Sequence, residues 1–167
     1  MYNLSVVGIA FATVSALVSL LRQTMGGRMS DFDVYLLRTY VSAGLIVAIT
    51  AVIPQLAALM HVPANAVWVV GSSVASLPVI LFAGFNPIWR RKAVGPGMPV
   101  TIWVATALNW IAAGLLIANA AAPSLRDAGL HALALTIVLV TAMWAFARRI
   151  GSLIGRTPSE DWDPKIG

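Results

Sequence analysis

The sequence contains no cysteine and few charged residues. Of its 167 residues only 10% are Asp, Glu, Lys or Arg, whereas 59% are hydrophobic. Soluble domains carry about 25% charged residues, so this chain has too few to cover a water-facing surface. The absence of cysteine excludes disulfides, thiolate metal sites, iron–sulfur clusters and a thiol nucleophile. The composition predicts an integral membrane protein.

Carboxylates are missing from the apolar runs of the sequence. All six lie between these runs or near the C-terminus, at Asp31, Asp33, Asp127, Glu160, Asp161 and Asp163. Intramembrane carboxylates are the usual proton carriers and cation ligands of pumps and coupled transporters. We therefore expect no proton-driven or sodium-driven transporter built on a buried acid. No lysine lies in an apolar run either, which excludes a retinal Schiff base.

The alternating pattern of β-strands and any internal repeat are also lacking. Five stretches have the roughly 20 mostly apolar residues that an α-helix needs to cross a membrane, at about 3–22, 34–58, 65–86, 99–120 and 129–149. Because backbone groups in lipid must be satisfied internally, runs of this length predict helices. We predict an all-α integral membrane protein, a compact bundle of five transmembrane helices in residues 1–150, and a short flexible cytoplasmic tail at 151–167.

Basic residues are distributed unevenly between the two sides that five spans define. Nine lie on the side of the C-terminus: Arg22, Arg28, Arg90, Arg91, Lys92, Arg148, Arg149, Arg156 and Lys165. The opposite side has only Arg126, which is paired with Asp127. Since cytoplasmic loops collect Lys and Arg, we expect the N-terminus outside and the C-terminus in the cytoplasm, in a bacterial inner membrane. So strong a bias disfavours a dual-topology dimer.

The formal net charge of +5 is compatible with nucleic-acid binding or with a membrane surface. The basic residues cluster at the ends of apolar runs, so anionic lipid headgroups at the cytoplasmic face are the expected partner and nucleic acid is not. Arg90, Arg91 and Lys92 are predicted interfacial cations. Arg38, one turn inside the second run, is expected to snorkel to that interface, with an anion or headgroup contact as the alternative.

The third run is interrupted by the polar stretch GSSVASLPV, residues 71–79. Ser72 and Ser76 lie four residues apart, and Pro78 frees the backbone carbonyl near Val74 because proline has no N–H. Such a stretch either lines a pathway or packs closely against neighbouring helices, and close packing around a bent helix is favoured.

In the fourth run, Asn109 and Trp110 form a second polar pair near the middle of the membrane. They are interpreted as structural contacts between helices, with a pocket or pore constriction as the alternative. Asn119 is expected at the outer interface.

Small residues recur at intervals of four in four of the runs. The stripes are Gly8, Ala12 and Ala16; Gly44 and Ala48; Gly71 and Ala75; and Ala105, Asn109 and Ala113. Small residues at this spacing allow helix backbones to approach and pack by dispersion. The stripes predict a compact bundle and favour self-association.

The two histidines, His61 and His131, are both expected on the outer side. Two imidazoles there could share a metal or ligate a haem, but their spacing matches no local motif. We interpret them as unrelated interfacial residues and expect no cofactor. Asp31 and Asp33, with Ser30, are interpreted as N-caps of the second helix rather than an ion site.

No phosphate-binding loop, serine-hydrolase elbow or zinc-protease motif is present in the sequence. We therefore expect a non-enzymatic protein, favouring a small homo-oligomeric channel or permeation protein. Its pathway would be lined by serines, threonines and the Asn109 amide, and its basic cytoplasmic mouths would favour anions or neutral solutes. The alternative is an accessory or assembly subunit of a larger membrane complex, and a lipid-acting enzyme is least favoured.

Overall fold

The computed structural model describes residues 2–24, 31–97 and 99–154, which form helices and turns with no strand among them. The five α-helices are α1 Tyr2–Thr24, α2 Asp31–Leu59, α3 Ala64–Val94, α4 Val100–Ala121 and α5 Ala128–Ile154. A short 3-10 turn, Pro123–Leu125, joins α4 to α5. The predicted cap Ser30 and residues 155–167 of the predicted tail lie outside the described residues.

Four of the helices, α2 to α5, are long and apolar enough to cross a membrane. This confirms the prediction of an all-helical, multi-pass membrane protein, with four helices of sufficient length and hydropathy among the described residues. In α1 the apolar segment found among the described residues is shorter, Asn3–Val18.

Helix α3 is the longest and departs most from its predicted bounds. We expected it to end near Asn86, before Pro87, but it continues for two more turns to Val94. At Asn86 this helix contacts α2, since the hydroxyl of Tyr35 donates to Oδ1 of Asn86 over 2.9 Å, and that of Thr39 donates to the same oxygen over 3.3 Å. This contact holds α3 against α2 at the residue where the sequence predicted a break.

The packing of α2 to α5 forms a ring in chain order. Each helix packs against its neighbour in sequence, α5 returns to α2, and α1 lies outside the ring, mainly against α2. Short connections place consecutive helices antiparallel. The centre of the ring is filled by apolar side chains that are each 0% exposed, namely Val47, Val79, Leu116, Leu135 and Val138.

The small-residue stripes of α1 and α2 meet in one close helix crossing. A Cβ atom added to Gly8 would lie 2.8 Å from the carbonyl oxygen of Gly44, and one added to Gly44 would lie 2.7 Å from that of Gly8. It would also lie 2.9 Å from Cβ of Ala12. Only glycine therefore allows the two backbones to approach this closely.

Gly71, the first residue of the polar stretch in α3, makes a close approach of another kind. A Cβ atom added there would lie 2.8 Å from Cγ of Pro54 in α2. The ring of Pro54 therefore occupies the space that a larger residue at position 71 would need.

Candidate functional site

A chain of buried polar groups links α3, α4 and α5. The backbone N–H of Asp127 donates to Oδ1 of Asn119 over 2.8 Å, and Nδ2 of Asn119 donates to Oγ of Ser72 over 2.8 Å. That oxygen lies 2.9 Å from Nδ1 of His131. Ser72, Asn119 and His131 are each 0% exposed. With the Ser72 hydroxyl donating to Nδ1, the imidazole proton is assigned to Nε2.

Pro54 of α2 leaves a backbone carbonyl facing the His131 imidazole. Proline has no N–H, so the carbonyl of Thr50, four residues earlier, has no partner in the helical ladder. This carbonyl faces the ring of His131, while Nε2 makes no well-formed hydrogen bond to a residue of the described ranges. Through one proline, α2 therefore contacts both α3 and α5.

The pairing of Ser72 with His131 has the chemical form of a nucleophile beside a general base. Both side chains are fully buried, however, and the Ser72 oxygen already accepts a hydrogen bond from Asn119. An apolar interior offers few other hydrogen-bond partners for these groups. Because the hydrophobic effect does not drive helices together in lipid, hydrogen bonds of this kind help to join α3, α4 and α5. We assign it a structural role.

His131 is fully buried rather than interfacial as predicted, because it lies inside the ring against Ser72. The same correction applies to Asn119. It was expected at the outer interface because it ends the fourth apolar run. The available signal was that His131 begins the next run, so the short turn between α4 and α5 brings the two residues to a similar depth.

The two serines singled out in α3 face different surroundings. Ser72 points into the ring of helices, whereas Ser76 is only partly buried and its hydroxyl donates to the carbonyl of Ser73 over 2.8 Å. Pro78 lies inside α3, which continues through it. The stretch therefore contributes one serine to the interior and another to the outer surface.

Asn109 and Trp110 also point in different directions. Asn109 is 3% exposed, and its Nδ2 donates to the carbonyl of Ala105 over 2.8 Å. Its Oδ1 has no partner among the residues that the structure describes. Trp110 is 49% exposed on the outer surface of α4, so the two side chains do not form one pocket.

The outer surface between α3 and α4 contains a cavity of about 350 Å³, which we call the α3/α4 groove. It is lined by Ser73, Ser76, Ile117, Ala120 and Ala121. Along α4, Trp110 and Gly114 precede Ile117 at intervals of about one helical turn. A Cβ atom added to Gly114 would meet nothing within 4 Å. The groove is therefore open, carries hydroxyl groups and is lined mostly by small residues, with Ile117 in it and Trp110 beyond it on the same face of α4.

The predicted interfacial cations lie toward the end of the bundle where α2 begins and α3 ends. Arg91 and Lys92 are exposed in the last turn of α3. The guanidinium of Arg38 lies over the ring of Trp89, with Cζ 4.2 Å from the ring centroid. Since α2 begins at Asp31, Arg38 is two turns inside the helix, and cation–π contact with Trp89 orients it.

Arg90 differs from its neighbours because it is only 7% exposed. Its guanidinium donates to the carbonyl of Gly97 in the connection to α4. Together with Arg148 of α5 it lines a cavity of about 250 Å³. Arg90 therefore ties down the connection from α3 to α4 besides placing a positive charge beside this cavity.

The two histidines are placed in unlike environments. His61 is exposed at the C-terminus of α2 with φ +59°. The hydrogen bonds from His61 N to Ala58 O, 3.1 Å, and from Val62 N to Ala57 O, 3.1 Å, form a Schellman motif. His131 is buried and bound to Ser72. The described ranges contain no group of three or more His, Cys, Asp or Glu side chains that could hold a metal.

No protein-family model, curated protein or solved structure matches this chain. Its function must therefore follow from the geometry of the chain itself.

Proposed function

We propose that this protein is a non-enzymatic, five-span protein of the bacterial inner membrane that acts as a homo-oligomeric permeation protein for anions or neutral solutes. Its N-terminus lies outside and its C-terminus in the cytoplasm. Helix α1 has 23 residues, about 34 Å at the usual rise, which is enough for a fifth span. The nine-to-one distribution of basic residues supports the orientation.

The filled centre of the helix ring is the observation that carries this proposal. Five apolar side chains on four helices are 0% exposed there, so the centre of one bundle is closed to solutes, and the cavity beside Arg90 and Arg148 lies at one end of it. The pathway that we propose therefore runs between copies of the chain, which would make assembly a condition of transport.

The α3/α4 groove is the surface that supports such an assembly. Small residues let the helices of a second copy approach, and the hydroxyls of Ser73 and Ser76 offer polar lining at bilayer depth. Arg91 follows Ser73 by 18 residues, which is about five helical turns, so it lies on the same face of α3. A positive charge at the cytoplasmic end of this face favours anions and neutral solutes over cations.

The absence of cysteine allows a sharp test, because a single introduced thiol is the only one in the chain. We expect Ser73→Cys to form covalent dimers on oxidation in membranes. In liposomes, coupling a bulky thiol reagent to it should lower anion or glycerol flux at least tenfold. Leu17→Cys, at a 53% exposed position of α1, is the matched control and should change neither the dimer yield nor the flux.

The two readouts separate the proposal from its alternative. Dimers that form without any protein-dependent flux would contradict permeation and favour an accessory or assembly subunit using the same face. Equal dimer yield from both variants, or flux that is unchanged by modification of Ser73→Cys, would contradict a pathway along the α3/α4 groove.

A further inference from the structure

A second surface cavity lies between α2 and α3, at a different position from the α3/α4 groove. We call it the α2/α3 groove, and its volume is about 500 Å³. Its walls include Leu45 and Ile49 of α2 and Leu81 and Phe85 of α3, whose exposed fractions lie between 45% and 63%. The groove is therefore an open, lipid-facing depression with apolar sides.

One end of the α2/α3 groove adjoins a polar cavity of about 260 Å³, which we call the headgroup pocket. Asp31 and Arg38 of α2 and Lys92 of α3 line this pocket. Trp89 lines both cavities. Its ring is stacked on Phe85 with centroids 5.9 Å apart, and Cζ of Arg38 lies 4.2 Å from the Trp89 ring centroid. Trp89 thus marks the boundary between an apolar and a charged compartment, as interfacial tryptophans do.

The length of the α2/α3 groove matches the depth of one leaflet. On α3 it extends from Pro78 to Trp89, eleven residues or about 16 Å along a helix. Half of a hydrocarbon core of about 30 Å is about 15 Å. An acyl chain lying in the groove would therefore place its headgroup at the level of Trp89 and Lys92.

The charges of the headgroup pocket select among lipids. Arg38 and Lys92 contribute two positive charges and Asp31 one negative charge, which leaves a formal excess of one positive charge. A phosphodiester with an uncharged polyol headgroup carries one negative charge, and its hydroxyls can donate to a carboxylate. Guanidinium and ammonium groups are the usual protein ligands of phosphate oxygens.

We propose that the α2/α3 groove and the headgroup pocket together bind one anionic glycerophospholipid. An acyl chain occupies the groove against Leu81 and Phe85. The phosphate lies between Arg38 and Lys92, and a headgroup hydroxyl donates to Asp31. The site uses neither the α3/α4 groove nor a particular membrane orientation, so it stands apart from the proposed permeation function.

Lipid titration of the full-length protein in mild detergent tests this site, with bound lipids counted by native mass spectrometry. Phosphatidylglycerol should bind as one tightly held molecule, at least tenfold more tightly than phosphatidylcholine or phosphatidylethanolamine. Arg38→Gln and Lys92→Gln should each weaken that binding about tenfold, since each removes a charge-assisted contact. Arg91→Gln is the control, because the adjacent cation does not line the pocket.

A second pair of variants tests the acyl-chain part of the site. Leu81→Trp fills the α2/α3 groove and should abolish the tightly bound phosphatidylglycerol. Leu77→Trp, at a 60% exposed position of α3 outside the groove, should not. The proposal is overturned if Arg91→Gln weakens binding as much as Arg38→Gln, if the three lipids bind equally, or if Leu81→Trp has no effect. Liposome flux and its loss on modification of Ser73→Cys, measured in parallel, report separately on the permeation proposal.

Discussion

At the scale of single residues, the two buried asparagines of α4 differ in how their amides are used. Both polar atoms of Asn119 form hydrogen bonds that reach α3 and the connection to α5. Within the described ranges, the Nδ2 of Asn109 donates to the carbonyl of Ala105, which the backbone of its own helix already uses. The first amide joins separate elements, whereas the second does not.

Replacement by leucine should therefore affect the two positions differently. Asn119→Leu leaves the buried Ser72 hydroxyl and the Asp127 N–H short of a partner, and should lower the free energy of unfolding by about 1–3 kcal/mol. Asn109→Leu removes a buried oxygen that has no partner in the described ranges. It should raise the free energy of unfolding, by less than about 1 kcal/mol. Unfolding in mixed micelles titrated with dodecyl sulfate, followed by circular dichroism, measures both. Equal losses would refute the distinction.

The sequence could predict that an amide at membrane depth needs a partner, but not which amide would find one. Asn119 looks interfacial because it is followed by a proline-containing turn. In the structure it is fully buried, and the turn that follows it folds back so that Asp127 donates to its side chain. Its burial is a property of the tertiary structure, which no local pattern encodes.

At the scale of helices, the crossing of α1 and α2 depends on two glycines with no room for a side chain. The atoms that a Cβ on Gly8 would meet are backbone atoms of Gly44 and Ala48. Backbone atoms cannot yield as the end of a flexible side chain can, so the helices would have to separate.

Gly8→Ala should accordingly lower the free energy of unfolding by about 1–3 kcal/mol, the usual cost of overpacking. Gly114→Ala adds the same methyl group to a helical glycine with open space around it, and should raise stability by about 0.5–1 kcal/mol through helix propensity. The dodecyl sulfate titration, run on monomeric protein in detergent, distinguishes these signs. A loss at Gly114 as large as that at Gly8 would show that the crossing is not the cause.

Helix existence was predictable from apolar run length, and the stripe of Gly8 and Gly44 correctly indicated close packing. The end of α3 was not predictable in the same way. The pair Asn86 and Pro87 resembles a helix boundary, yet the helix continues to Val94. Asn86 accepts a hydrogen bond from Tyr35 of α2, a contact between distant residues that no local pattern encodes.

At the scale of the whole molecule, the distribution of basic residues leads to a prediction about both faces of the membrane. In intact cells, a membrane-impermeant maleimide should label Ser124→Cys, in the turn between α4 and α5, because that turn lies outside in the proposed orientation. Val94→Cys, at the end of α3, should react only after the membrane is permeabilised. The reverse pattern would contradict the orientation, and labelling of both in intact cells would indicate dual topology.

Composition alone could predict a helical membrane protein, but it could not separate a pore from a packed core. Serine, threonine and asparagine in apolar runs are compatible with either. The difference arises from which face of each helix turns inward, since Ser72 meets His131 while Ser76 reaches the surface. Helix rotation of this kind is decided by packing among all the helices.

The polar network of Ser72, Asn119 and His131 also has a consequence for the order in which the chain is made. Ser72, the Thr50 carbonyl and Asn119 are all synthesised before His131, which lies in the last helix. Asn119 can already bond to Ser72 and to the Asp127 N–H, but the Ser72 hydroxyl and the Thr50 carbonyl lack the imidazole until α5 enters the membrane, and exposed polar groups in lipid are unfavourable. A chain that stops short of α5 therefore leaves the Ser72 hydroxyl without its imidazole partner, so the last helix to be made completes the hydrogen bonding of the third.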